Sequence, residues 1–182
     1  MADKQSLICG ACCVNKPEFN RVVASYQFEE PLRTLLHTFK YHQGLYLTSL
    51  FTDLMLQKFE PNDTQCLIPI PMHPKRLQQR GFNQAVILAK QLSKRLGLPC
   101  EINICKKIIN TQPQAGLSKH LRASNLINAF TAKPLTYQHV TLVDDLFTTG
   151  NTANEIAITL KRRGVAHVDV WCCARTVADS NW

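Results

Sequence analysis

Thr148-Thr149-Gly150-Asn151-Thr152 puts three hydroxyls and a glycine just ahead of a helical pattern. At a helix entrance the first backbone N–H groups lack intrahelical partners and the macrodipole is positive, so the run has the outline of a monophosphate site. Immediately before it, Asp144 and Asp145 leave the apolar run Val140 to Val143. Adjacent carboxylates at a strand end can accept hydrogen bonds from vicinal sugar hydroxyls or lie close to a hydrated Mg²⁺. A ribose 5-phosphate carries a hydroxyl edge and a phosphate a few ångströms apart, matching the two halves of this run. Singly, the threonines would read as an ordinary N-cap and the acids as a solvated strand end; their succession after an apolar strand is what points to a phosphorylated sugar.

The elements that must position this run alternate between strand and helix. Val140 to Val143 is continuous enough in apolar and β-branched residues for a parallel strand buried on both faces, ended by Asp144-Asp145. Ala153 to Arg163 supplies a helix with Ile156 and Leu160 on its apolar side, Gly164 closes it, and Val165 to Cys172 gives another strand. Strand, helix and strand in this order make a βαβ crossover whose loop lies at the carboxyl end of the sheet, where ligands bind in open α/β folds. Upstream, Arg21 to Phe28 reads as a strand. Pro31 to Lys40 is helical by the spacing of Leu32, Leu35, Leu36 and Phe39. A second helix is expected over Leu45 to Phe59, then a strand at Cys66 to Ile70, a proline-rich turn at Pro69 to Pro74, and a helix over Asn83 to Leu96. In that last helix Val86, Ile87, Leu92 and Leu96 share a face and Gly97 forms the stop.

A chain of 182 residues, 45% of them hydrophobic, is long enough for one main α/β core with a small appendage. No run approaches the roughly 18 apolar residues that a membrane helix needs. The polar start MADKQSLICG lacks the pattern of a signal peptide, so a cytoplasmic location without membrane insertion is expected. The net charge of +8 favours an anionic partner: a polyphosphate metabolite, a nucleic acid or an acidic protein. Of the eight cysteines two pairs are vicinal, which favours reduced thiols over a disulfide scaffold. Cys9 and Cys12 have the spacing of half a zinc ribbon. With only Cys13 beside them they fall short of a closed Zn²⁺ site, and the expectation is against zinc.

The run VTLVDDLFTTGNT, Val140 to Thr152, resembles the signature with which type I phosphoribosyltransferases bind 5-phosphoribosyl-1-pyrophosphate (PRPP). The stretches IPIPMHPKRLQQRGFNQA, TQPQAGLSKHLRASNLINAF and VDVWCCART extend the likeness, and over Cys9 to Thr176 the chain resembles the ComF/GntX family. The resemblance implies a type I phosphoribosyltransferase fold: a parallel twisted sheet flanked by helices, with a small N-terminal hood. On that view residues 1–20 are a cysteine-bearing segment, a remnant of a zinc ribbon. Residues 21–182 form the phosphoribosyltransferase-like domain, with 21–62 contributing to the hood.

By the same resemblance, Asp144 and Asp145 hold the ribose hydroxyls, directly or through Mg²⁺ and its water, and Phe147, Thr148, Thr149, Gly150, Asn151 and Thr152 form the 5-phosphate cradle. Pro71, Met72 and His73 stand where such enzymes bind pyrophosphate, often through a strained non-proline peptide, with Lys75, Arg76 and Arg80 close by. Lys107 to Arg122 matches a loop that closes over PRPP, with Thr111 and Gln114 as landmarks, and Lys107 and Arg122 join the two acids as the implied catalytic set.

Two functions of different class remain open. One is Mg²⁺-dependent transfer of phosphoribose to an unidentified acceptor with release of pyrophosphate. The other is a non-catalytic module that senses PRPP or binds single-stranded DNA for the competence machinery, since the family is linked to DNA uptake. For the second, Lys40, Lys58, Lys106 and Lys107 are candidate phosphate contacts, and Phe39 and Tyr41 candidate stacking platforms.

Overall fold

A computed structural model describes residues 16–41, 44–58, 63–111 and 126–176. Four strands form an all-parallel sheet: β1 (Arg21–Gln27), β2 (Cys66–Pro69), β5 (His139–Phe147) and β6 (His167–Arg175), in the spatial order β1-β6-β5-β2. A separate antiparallel pair, β3 (Cys105–Lys107) and β4 (Phe130–Ala132), stands apart from it. The helices are α1 (Leu32–Tyr41), α2 (Thr48–Leu56), α3 (Pro74–Arg80), α4 (Gln84–Leu96) and α5 (Asn151–Lys161).

The apolar runs are buried on both faces because successive residues of a strand point to opposite sides. Ile68, Val140, Leu142, Val168 and Val170 pack with Ala153, Ile156, Ala157 and Leu160 of α5. Their neighbours Leu67, Val143 and Trp171 pack instead with Leu36 and Phe39 of α1, Phe51 and Met55 of α2, and Leu88 and Leu92 of α4. Of the segment 21–62, expected to contribute a hood, the described residues supply an edge strand of the sheet and two helices on one of its faces.

Several sequence expectations shift. Strand β5 runs through the two acids to Phe147 instead of ending before them, with Asp144 paired to Cys172 and Phe147 to Arg175. The helix expected over Leu45 to Phe59 begins as a 3₁₀ turn, Gly44–Leu47, and its α-helical part is α2. In α4 the fully buried face is Ala85, Leu88, Ala89 and Leu92, while Val86 and Ile87 are half-buried. Small alanines let the helix axis approach the sheet. The basic stretch that follows the expected proline-rich turn is the short helix α3, which has no buried residue. Cys172 and Cys173 are core residues. Cys9, Cys12, Gln114 and Arg122 lie outside the described residues, so their expected roles have no geometry to set beside them.

Candidate functional site

The carboxyl end of β5 builds the site. The alternation that sends Leu142 toward α5 and Val143 toward α1 and α4 puts Asp144 on the α5 side and Asp145 on the other. The Asp145 backbone N–H donates to Asp144 Oδ1 at 2.9 Å. Asp145 Oδ2 lies 2.8 Å from Lys40 Nζ, with side-chain exposures of 9% and 21%. That oxygen is buried and finds no hydrogen bond of good geometry, so its contact with Lys40 is chiefly ionic. Burial, and next the charge of Asp145, push the Asp144 carboxyl well above the usual carboxylate range; the opposing pull of Lys40 does not offset them. For Lys40, burial is the largest single influence and works against the ammonium, yet the two acids together outweigh it and raise its pKa.

A cavity of about 290 Å³ opens above the acids. Its walls include Pro71, Met72 and His73 after β2, Arg76 and Arg80 of α3, Tyr41 of α1, and Lys107 of β3. Arg80 is held in place: it donates to Gln84 Oε1 at 3.1 Å and to the Tyr41 hydroxyl at 3.2 Å, and its guanidinium sits 4.9 Å from the Tyr41 ring centroid. Lys107 Nζ donates to Thr111 Oγ1 at 2.7 Å, and burial followed by repulsion from Arg76 lowers its pKa. Asn83 links the loop to the helix behind it, donating to the Ile70 carbonyl at 3.0 Å and accepting from the Ala85 N–H at 3.0 Å. His73 caps α3 by accepting from the Lys75 N–H at 3.3 Å. Lys75 itself is exposed and is not among the residues that line the cavity. Among the described residues the one cis bond is Glu30–Pro31, and none falls at Pro71 to His73.

A second pocket, of about 30 Å³, lies at the turn between β5 and α5, lined by Thr148, Thr149, Gly150, Asn151 and Thr152. It shares Ile70, Asp144, Leu146, Thr148 and Thr152 with the larger cavity, so Asp144 borders both and Asp145 only the larger. Gly150 is the N-cap of α5 at φ +77°, and no side chain caps the helix from that position. Among the described residues, no backbone carbonyl takes up the N–H groups of residues 148 to 151. The residues that carry those donors line this small space together with Thr152, as an anion site would require. A Cβ on Gly150 would meet the Phe147 ring at 2.8 Å, and that ring packs edge-on against Phe19. Phe147 therefore acts as a buttress beneath the turn.

Sequence reading missed Gln84 and Asn83, and considered Lys40 and Tyr41 only for contacts with single-stranded DNA, not as partner of the acids and as support for Arg80. Only Asn83, ahead of a helical pattern, left a local signal, that of an N-cap. Phe39 is fully buried between Phe51 and Phe82 and offers no ring to a base, contrary to the stacking role considered for it. Tyr41 remains 57% exposed, with Arg80 against its ring.

The site thus stands in a parallel sheet flanked by helices, with paired acids at one strand's carboxyl end and a threonine-glycine turn opening the next helix, the architecture that the resemblance to type I phosphoribosyltransferases implies. No family model matches the chain. It is 34% identical to Competence protein F of Haemophilus influenzae over 178 residues, 92% of this chain and 78% of that protein. It is also 34% identical to the DNA utilization protein YhgH of Escherichia coli K12 over 184 residues, 97% and 81% of the two chains. Competence protein ComFC of Bacillus subtilis is 28% identical over 78% of this chain and 58% of its own length. The chain belongs to the ComF family. Among solved structures, UMP synthase of Leishmania donovani superposes on 75% of this chain and 22% of its own, at 16% identity and a TM-score of 0.36, too slight a likeness to bear on function.

Proposed function

We propose that this protein binds PRPP with Mg²⁺, the ribose hydroxyls on Asp144 and Asp145 and the 5-phosphate in the Thr148–Thr152 turn, and that it acts as a phosphoribosyltransferase in the handling of incoming DNA. The observation that carries the reading is the continuity of the two pockets through Asp144. It puts a carboxylate between a space for a phosphate and a larger space bordered by Arg76, Arg80 and Lys107. A pyrophosphate fits the second space by charge, since Arg80 is already oriented by Gln84 and Tyr41. The names of relatives, Competence protein F and DNA utilization protein YhgH, supply the biological setting.

Mg²⁺ suits the acids, which offer oxygen donors only. Asp144 carries a carboxyl whose charge is disfavoured until a cation arrives, and Asp145 Oδ2 lacks a well-formed hydrogen bond. When bound, the ion would neutralise charge on the departing pyrophosphate. The chain's own residues would do the rest. Transfer breaks the bond from the ribose anomeric carbon to pyrophosphate and forms one to the acceptor, through an oxocarbenium-like state. Anchoring the phosphate and hydroxyl ends holds the anomeric carbon in place, while Arg76, Arg80 and Lys107 receive the leaving charge.

Calorimetric titration with PRPP and Mg²⁺ tests the binding step. Loss of hydrogen bonds to charged groups in Asp144→Asn/Asp145→Asn is expected to weaken affinity by about 10- to 100-fold or more; unchanged affinity would remove the ribose assignment. Pyrophosphate release across a panel of nitrogenous acceptors then separates an enzyme from a PRPP-sensing module.

A further inference from the structure

Lys40 has no place in the binding scheme above, yet it makes the site's closest contact with an acid. It stands at the end of α1, and its Nζ reaches across the cavity floor to Asp145 Oδ2 at 2.8 Å. The backbone at Lys40 is tied as well: Gln84, itself buried, donates through Nε2 to the Lys40 carbonyl at 3.4 Å. The Lys40 side chain is only 21% exposed, and its ammonium stands at the Asp145 oxygen that a divalent ion would approach. Lys40 and Asp145 both line the cavity, together with Arg76, Arg80 and Lys107.

A divalent ion that takes Asp145 Oδ2 competes with the ammonium 2.8 Å from that oxygen, and the other positive groups of the cavity offer the ammonium no new partner. A polyphosphate offers one, because its oxygens can accept from the released ammonium while its own metal and hydroxyls occupy the acids.

Resting on the proposed binding mode, we infer that Lys40 is a resident counterion that closes the doubled acid to free divalent cations and yields only to a metal–polyphosphate ligand, to which it then transfers its charge. Lys40 is thus a positioning residue that makes metal and polyphosphate enter together.

The test uses the full chain and the metal alone as probe. Mn²⁺ binding followed by electron paramagnetic resonance, without any phosphate ligand, is compared in wild type, Lys40→Met and Lys40→Gln. Freeing a charged acceptor is expected to tighten Mn²⁺ binding by about tenfold or more in both variants, with the gain abolished when Asp145→Asn is added. Equal Mn²⁺ affinity in wild type and the folded variant, or none in either, overturns the inference. Lys40→Gln keeps a hydrogen-bonding group beside Asp145 should Lys40→Met fail to fold. Titration with PRPP and Mg²⁺ on the same proteins is read separately: the variants should bind the complex about tenfold more weakly, the value of a lost charged hydrogen bond. Absence of PRPP binding to wild type would refute the ligand assignment but leave the Mn²⁺ comparison standing.

Discussion

At Asp144, burial and the neighbouring carboxylate both disfavour the charged form, so the folded protein holds a proton there more firmly than the unfolded chain does. With the folded pKa raised, the stability this group supplies is fully present below the ordinary carboxylate range and is lost as pH rises toward the raised value. Asp144→Asn should therefore make the ligand-free protein more stable than wild type near neutral pH, with the difference shrinking toward about pH 4. Urea denaturation across that range checks it, and parallel curves would contradict it. At Gly150, φ of +77° and the Phe147 ring 2.8 Å from a would-be Cβ both oppose a side chain. Gly150→Ala is expected to destabilise by about 1–3 kcal/mol in chemical denaturation and to weaken phosphate binding; a neutral substitution would mean the turn is looser than described. Asp144, Asp145 and the threonines were legible because their chemistry is contiguous in sequence. Lys40 was not, since nothing near it in the chain announces an acid that only the packing of α1 beside β5 brings within reach.

Among the elements, β5, α5 and β6 were the most readable. Their apolar runs are long, the turn between them is chemically distinctive, and Gly164 at φ +98° follows the helix just past its last turn. The strand's true end was less readable, because carboxylates are unusual in a ladder. Asp144 and Asp145 stay in it while their side chains serve opposite sides of a cavity edge. Helix α3 lacks an apolar face to give periodicity, although a His73 cap, Pro74 and Gly81 at φ +86° frame it. Three-residue strands such as β3 and β4 leave too short a pattern to detect. Since α5 holds the Thr148–Thr152 turn against the sheet, its packing residues should matter to the proposed binding as well as to stability. Leu160→Ala, at a fully buried position, is expected to lose about 2–5 kcal/mol in denaturant titration. A loss below about 1 kcal/mol would show that α5 does not anchor that face.

For the molecule as a whole, the candidate chemistry among the described residues is concentrated at the carboxyl end of the sheet, and Cys66, Cys105, Cys172 and Cys173 are buried packing. Burial pushes Cys66, Cys105 and Cys173 up to about 12 and Cys172 higher still. These thiols should resist a disulfide reagent at neutral pH until denaturant is added, as thiol titration would show. No helix among the described residues is long and apolar enough to cross a membrane. The net charge of +8 sets up the alternative test: a single-strand DNA binder should lose affinity steeply with salt, whereas the PRPP site should respond less and only through its few phosphate contacts. The central claim is most directly tested by a crystal structure of the protein with ribose 5-phosphate. The account expects the phosphate at the backbone N–H groups of residues 148 to 152 and the 2- and 3-hydroxyls on Asp144 and Asp145. Density for the sugar elsewhere, or a ligand-free turn at saturating concentration, would contradict it.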